Sequence, residues 1–267
     1  MIVVKIGGSA GVNLEAVCDD AASLVRGGQR LVLVHGGSDA TNTLARSLGT
    51  PQRTITSPSG HQSRRTDRET LAVFQMACRG MLNQKIVELL QARGVNAVGL
   101  SGMDGRLWEG ERKKAIRSVE GTRTVIIRDD YSGNVERVNA GLLRTLLEAG
   151  YTPVVSPPGI STEHEPINVD ADRAAAATAA ALGAESLLLL SNVRGLLSAF
   201  PDESTLIERV DRAGIEHAAS IAQGRMKKKV LGAADALVGG VRRVVIGDAR
   251  SPGSISRALS GEGTVFS

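Results

Sequence analysis

The residues best equipped for chemistry are lysines set beside glycine pairs. Met1-Ile-Val-Val-Lys5-Ile-Gly7-Gly8-Ser9 places an ammonium two residues before two glycines. The apolar, β-branched run predicts a buried strand, and a lysine on a buried strand needs a partner for its charge. A strand that turns on glycine into a helix leaves bare backbone N–H groups beside a positive helix end, which suits phosphate. The same phrase returns at Leu31-Val-Leu-Val-His35-Gly36-Gly37-Ser38. Two neighbouring parallel strands then put both turns at one sheet edge, beyond the carboxyl ends of the strands, where open α/β sheets bind ligands. Taken singly, each phrase is equally a tight turn with a lysine reaching solvent. It is the repetition that points to a ligand.

Three further groups could join them. Arg64-Arg65-Thr66-Asp67-Arg68 offers planar guanidinium forks for carboxylate or phosphate, or else a solvated helix start. Pro166-Ile-Asn168-Val-Asp170-Ala-Asp172 opens an alanine-rich helix; one aspartate suffices as a cap, which leaves a second carboxylate and an amide over. That carboxylate could hold a lysine ammonium, and Asn168 could both donate to and accept from a small polar ligand. Gly224-Arg-Met-Lys227-Lys228-Lys229-Val230 stacks three cations at a positive helix end, which is unfavourable unless an anion sits nearby.

The chain has no Gly-Lys dipeptide, hence no Walker A loop, and no G-x-G-x-x-G dinucleotide fingerprint. Gly7-Gly-Ser9-Ala-Gly11 matches the nucleophile elbow, but too little chain precedes it to supply that site's oxyanion loop. His164-Glu165 fails as a zinc motif because Asn168 stands at the second ligand position. No metal site is expected from the protein itself. Glycine N–H groups, lysines and organising carboxylates without a covalent nucleophile are what phosphoryl transfer asks for, since its catalysis is mostly positioning and charge stabilisation. A nucleotide donor would bring Mg2+.

The elements that must position these groups alternate along the chain. Helices are predicted near 13–26, 38–48, 68–91, 138–149, 172–182, 211–222, 227–238 and 253–259, and strands near 2–6, 31–35, 95–99, 152–156, 186–191 and 242–247. The pattern predicts an α/β three-layer αβα sandwich around a mostly parallel open sheet. Between 106 and 138, short strands broken at Glu120-Gly121 and Ser132-Gly133 read as β-hairpins, a flap beside the sheet. Ser156-Pro-Pro-Gly-Ile160 divides an N-terminal lobe, 1–157, from a C-terminal lobe, 158–267. The chain has 267 residues, enough for a sizeable core. Only 2% are aromatic, which argues against nucleic-acid platforms that stack bases. The apolar-looking run from Ala174 to Leu190 is interrupted at Thr178, Gly183 and Glu185, so no membrane span is expected. Nor is a signal peptide, since the first apolar segment meets Lys5 at once. Cys18 and Cys78 fit no metal or redox spacing, which suits a cytoplasmic protein.

Several pieces together resemble the amino acid kinase superfamily over the whole chain, and its acetylglutamate kinase branch in particular. They are Lys5-Ile-Gly-Gly, Val34-His-Gly-Gly37, Arg64-x-Thr66-Asp67, Asn168-Val-Asp-Ala-Asp172, Leu190-Ser-Asn-Val-x-Gly195, Gly224-x-Met-x-x-Lys229-Val and Gly261-x-Gly-Thr. The resemblance implies that Lys5 and Lys229 stabilise the transferring phosphoryl and that Asp172 holds both. It implies that Gly8, Gly36 and Gly37 line the phosphoryl path and acceptor, and that Arg64 and Asn168 bind the acceptor's free carboxylate side. Ser191, Asn192 and Gly195 would border ATP in the C-terminal lobe, with acceptor binding in the N-terminal lobe.

Ser38-Asp-Ala-Thr-Asn42, Gly60-x-x-Ser63-Arg64, Leu100-Ser-Gly-x-Asp-Gly105 and Gln223-Gly-Arg-Met226 are similar to kinases acting on 2-aminoadipate attached to a small acidic amino-group carrier protein, in lysine synthesis. Free N-acetylglutamate, or carrier-bound glutamate beside aminoadipate, are the alternative acceptors. Complementary charge for the carrier is expected from Arg64, Arg65, Arg68, Arg79 and the Arg112–Lys114 cluster. A homodimer is a further expectation from the resemblance. Asn192 stands where many relatives carry aspartate, and Asp170 where acetylglutamate kinases commonly carry asparagine.

Overall fold

Alternation along the strands sets the layers. Val3, Val34, Val155, Leu187, Leu189 and Ile246 pack to one face, against helices Ala140–Glu148, Ala171–Leu182 and Gly224–Val238. Ile2, Val4, Ile6, Leu33, Leu188, Leu190 and Val245 pack to the other, against helices Leu14–Arg26, Gln84–Gln91 and Ser254–Ser260. The result is the expected α/β sandwich, seen in a computed structural model that describes every residue except Pro51, Ser59 and His61.

Its central sheet has eight strands in the order Arg209–Val210, Thr264–Phe266, Arg243–Asp248, Ser186–Ser191, Ile2–Ile6, Leu31–His35, Thr152–Ser156, Ala97–Ser101. Neighbours are parallel except where Thr264–Phe266 runs against Arg243–Asp248, carrying Arg209–Val210 with it. The first strand is central. It pairs with Leu31–His35 on one side and with Ser186–Ser191 on the other. Within this sheet the pairing of Ile2–Ile6 with Ser186–Ser191 is a seam: strands up to Ser156 lie on one side of it and strands following Pro158 on the other.

Three local differences from expectation have physical reasons. The strand predicted at 95–99 lies at Ala97–Ser101, because the Val95 N–H closes the preceding helix onto Leu90 O. The helix predicted over 68–91 is α-helical at Arg68–Gln75 and Gln84–Gln91 but π-helical at Met76–Asn83, where Arg79 and Asn83 turn inward to polar partners. The hairpin at Glu120-Gly121 forms, between Ile116–Glu120 and Arg123–Ile127. The second expected hairpin does not. Ser132-Gly133 docks onto Asn168, and Arg137–Val138 pairs instead with Trp108–Glu109. That pairing belongs to a small sheet completed by Gly159–Ser161 and Pro166–Ile167.

Candidate active site

Lys5 shares its face with Val3, so its side chain points at the start of helix Ala171–Leu182. Asp170 caps that helix, accepting from the N–H groups of Asp172 and Arg173 at 3.0 and 3.2 Å. Asp172 is thereby left free to turn its carboxylate inward. Lys5 Nζ lies 2.7 Å from Asp172 Oδ1, and Lys229 Nζ lies 3.1 Å from each carboxylate oxygen. All three side chains are buried. Of the three adjacent lysines, Lys227 is exposed and Lys228 pairs with the Asp170 cap at 3.3 Å. Only Lys229 enters the core.

The electrostatics follow from that geometry. Burial alone would raise the Asp172 pKa, but Lys229 and Lys5 overcome it and hold the carboxyl ionised, far below the usual carboxylate range. Burial, with Lys5 as a second positive neighbour, lowers Lys229 to about 8 despite the attraction of Asp172. Two ammoniums and one carboxylate leave one net positive charge. An ammonium has three N–H donors, so Lys5 keeps two and Lys229 one beyond their bonds to Asp172.

The twin glycine turns touch. A Cβ on Gly8 would lie 2.4 Å from Gly37 N and 2.7 Å from the Gly36 carbonyl carbon, so only glycine fits. Ser38 Oγ and Asp39 N–H both donate to Gly8 O, at 2.9 and 2.8 Å, locking one turn to the other. Gly36 also nears Ala171 at the helix start. Among the described residues, the N–H groups of Gly8 and Gly37 meet no protein acceptor. Lysine ammoniums and free amides within one edge of the sheet suit a polyanion such as a nucleotide's phosphates.

Arg64 reaches the same edge from the hairpin Thr54–Thr56/Gln62–Arg64. It donates to Ser38 O and Asn42 Oδ1 at 3.2 and 2.8 Å, and to Gln52. Thr66 brings Arg64 and Asn168 together: its hydroxyl bonds Arg64 O and takes the Asn168 amide at 3.0 Å. On the other half, Ser191 ends its strand buried, and Asn192 donates to Ala10 O at 3.1 Å, so this stretch touches the first glycine turn directly. Gly195 is set apart, packed on Thr264 so closely that a Cβ would lie 2.6 Å from the Thr264 hydroxyl. Arg225 closes the same turn from the other side, donating to Ser9 Oγ at 2.5 Å.

The cation cluster expected to greet a carrier is only partly available. Arg112 stacks on the Tyr131 ring at 3.8 Å, pairs with Glu165 at 3.0 Å and donates to the carbonyls of Asp130 and Arg128. Arg79 is spent on Asn83 and Gly99, and Arg65 on Asp129. Lys113, Lys114, Arg117 and Arg123 stay exposed on or beside the hairpin. Sequence reading missed His35, Arg79 and Asn83 as a connected group; the burial of His35 between a strand and two glycines was its one signal.

Among the described residues no cluster of three or more His, Cys, Asp or Glu could hold a metal ion, and no helix is long and apolar enough to cross a membrane. The chain is 57% identical to the LysW-aminoadipate kinase of Deinococcus radiodurans, covering 100% of this chain and 91% of that one. It is 54% identical to the LysW-aminoadipate kinase of Thermus thermophilus, with 99% of each covered. The solved N-acetylglutamate synthase from Neisseria gonorrhoeae, complexed with coenzyme A and N-acetyl-glutamate, superposes with a TM-score of 0.80 at 27% identity. The match covers 100% of this chain and 59% of that one. Giardia carbamate kinase shares the fold, with a TM-score of 0.69 at 15% identity, covering 99% of this chain and 97% of that one. Residues 1–248 match the Amino acid kinase family, and with two lysines sharing one aspartate above a pair of glycine turns, the chain belongs to it.

Proposed function

We propose that this chain transfers the γ-phosphoryl group of ATP to the side-chain carboxylate of 2-aminoadipate attached to an amino-group carrier protein, giving an acyl phosphate and ADP. The observation that carries the reaction type is the meeting of Lys5 and Lys229 on Asp172, beside Gly8 and Gly37. The carrier-bound acceptor rests on full-length likeness to the two LysW-aminoadipate kinases.

Asp172 fixes both ammoniums, and their remaining N–H donors meet the equatorial oxygens of the transferring group as its charge spreads. The Gly8 and Gly37 amides add neutral donors. Gly36, Arg64 and Asn168 bind the acceptor and hold its carboxylate in line. Ser191, Asn192 and Gly195 border the nucleotide, so residues 158–267 serve ATP, while residues 1–157, joined by Asn168, serve the acceptor. Mg2+ would be held by the nucleotide's phosphates rather than by a protein cage, and would neutralise phosphate charge there. Lys113 and Lys114 beside the hairpin, and Arg117 and Arg123 on it, offer complementary charge to an acidic carrier. A homodimer in the cytoplasm completes the reading, on the strength of the family resemblance.

The test is ATP turnover with purified aminoadipyl-carrier, glutamyl-carrier and free N-acetylglutamate. The expected order of kcat/KM is aminoadipyl-carrier first. Faster turnover of free N-acetylglutamate would overturn the acceptor assignment. Glutamate and aminoadipate differ by one methylene, worth about 1–3 kcal/mol in an apolar pocket, so the glutamyl-carrier should trail by about 10- to 200-fold. Lys5→Ala or Lys229→Ala should lower kcat by about two to four orders of magnitude with the fold retained, and near-normal turnover would remove that lysine from the mechanism.

A further inference from the structure

The second glycine turn rests on a buried polar chain that phosphoryl transfer, as derived above, leaves unused. His35 is buried, and its Nδ1 lies 2.8 Å from Gly36 O. A carbonyl only accepts, so Nδ1 carries the proton. Nε2 therefore accepts, taking a hydrogen bond from Asn83 Nδ2 at 3.0 Å. The Asn83 amide is oriented in turn. Its Nδ2 also donates to Val154 O at 2.9 Å, and its Oδ1 accepts from Arg79 Nη1 at 3.1 Å. Arg79 Nη2 donates to Gly99 O at 2.9 Å. A guanidinium cannot accept, so the polarity of every link from Arg79 to Gly36 is fixed.

Two features of the fold are shaped around this chain. Arg79 and Asn83 both lie in the π-helical segment Met76–Asn83, whose wider turn brings both side chains to the sheet edge. Gly99 leaves them room: a Cβ there would lie 2.1 Å from Asn83 Oδ1 and 3.3 Å from Arg79 Nη1. Burial pushes His35 down to about 4, and the charges of Lys5 and Arg79 push the same way, so its ring is neutral at working pH.

The consequence lies one peptide away. Gly36 C=O and Gly37 N–H belong to one planar peptide and point in opposite directions. Fixing the oxygen on His35 turns the Gly37 N–H toward the other side, beside Gly8, where it meets no acceptor among the described residues. We propose that Arg79 and Asn83, acting through His35, are positioning residues that hold the Gly37 N–H toward the oxygen on which charge develops during phosphoryl transfer. This deepens, and rests on, the reading of the twin glycine turns as the phosphoryl path.

The test pairs kinetics with the imidazole's own signature. In full-length protein labelled with 15N-histidine, His35 should give a neutral imidazole protonated at Nδ1; a neutral Nε2–H form would overturn the proposal without any variant. His35→Leu removes the donor to Gly36 O, and Asn83→Asp replaces the donor to Nε2 by an acceptor that draws the proton there. Each should lower kcat by about 10- to 100-fold, the scale of a small misplacement at the reacting centre, with KM for ATP changed less than about threefold. His35→Asn keeps an N–H where Nδ1 stood and should recover most of the loss. Wild-type kcat in a folded His35→Leu or Asn83→Asp protein would sink the proposal, as would a His35→Asn protein no better than His35→Leu. If Lys5→Ala also turned over normally, the phosphoryl-path reading would fall instead, which separates the two failures.

Discussion

Two buried carboxylates in this molecule each sit between two cations, and they do different things. Asp172 joins Lys5 and Lys229, whereas Glu109 joins Arg106 and Arg137 at 2.5 Å each. Both centres carry one net positive charge. The side chains around Glu109 reach solvent, Arg137 being 76% exposed, and their bonds to Glu109 hold that carboxyl down at about 2. That centre ties Trp108–Gly110 to Arg137–Val138 and asks for nothing more. Around Asp172 both cations are only 6% exposed, their donors are not all used, and free glycine amides stand next to them. Equal charge arithmetic therefore separates a surface clamp from a site: what matters is where the unused donors point and whether water can satisfy them.

The sharpest way to break that contrast is to neutralise each carboxylate. Asp172→Asn leaves two buried ammoniums facing each other, so kcat should fall by about four orders of magnitude. The same change should cost about 3–5 kcal/mol of stability, read by urea unfolding. Glu109→Gln should lower the Tm while leaving kcat within about twofold. If Glu109→Gln were the more damaging to turnover, the assignment of roles would be reversed.

Acidity sharpens it next. The proposed mechanism uses Lys229 as a cation, and its pKa is lowered in the folded chain, so kcat/KM should fall about tenfold per pH unit above about 8. The stability sign is opposite. Between about 8 and the ordinary 10.5 the unfolded chain still holds the proton that the folded chain has released, so stability attributable to Lys229 rises with pH across that window. Guanidinium centres do not titrate there, so the Glu109 clamp predicts no such window. A pH profile flat to 10 would remove Lys229 as a catalytic cation.

The smallest expected effect is at the hairpin. Lys113→Glu with Lys114→Glu should raise KM for an acidic carrier about three- to tenfold, more at low salt, with KM for ATP unchanged. Arg112 is excluded from that test because reversing it would dismantle its stack on Tyr131 and its pair with Glu165.

What could be read in the sequence depended on range. Lys5 announced itself because a charge in a β-branched run conflicts with burial, and the glycine pairs because they repeat. The layers followed from strand and helix periodicity. Strands Arg209–Val210 and Thr264–Phe266 did not show, being too short to carry a period. The π-helical segment was hidden for another reason: Met76–Asn83 keeps a helical apolar pattern, and its widening comes from partners on distant strands. Arg112 misled similarly. Beside Lys113 and Lys114 it looks like part of a solvated cationic patch, and only Tyr131 and Glu165, which no local rule links to it, show otherwise.

The seam strand has a consequence for how the protein comes into being. Lys5 leaves the ribosome well before its partners: one of its strand's two neighbours begins at Ser186, and its counter-ion is residue 172. Until those are made, the strand has an open edge and the ammonium no partner. Lys229, made later still, closes the centre from helix Gly224–Val238. A nascent chain that stops short of these elements carries the lysine without its charge balance, so the lysine–aspartate–lysine centre is assembled only after helix Gly224–Val238 has been made.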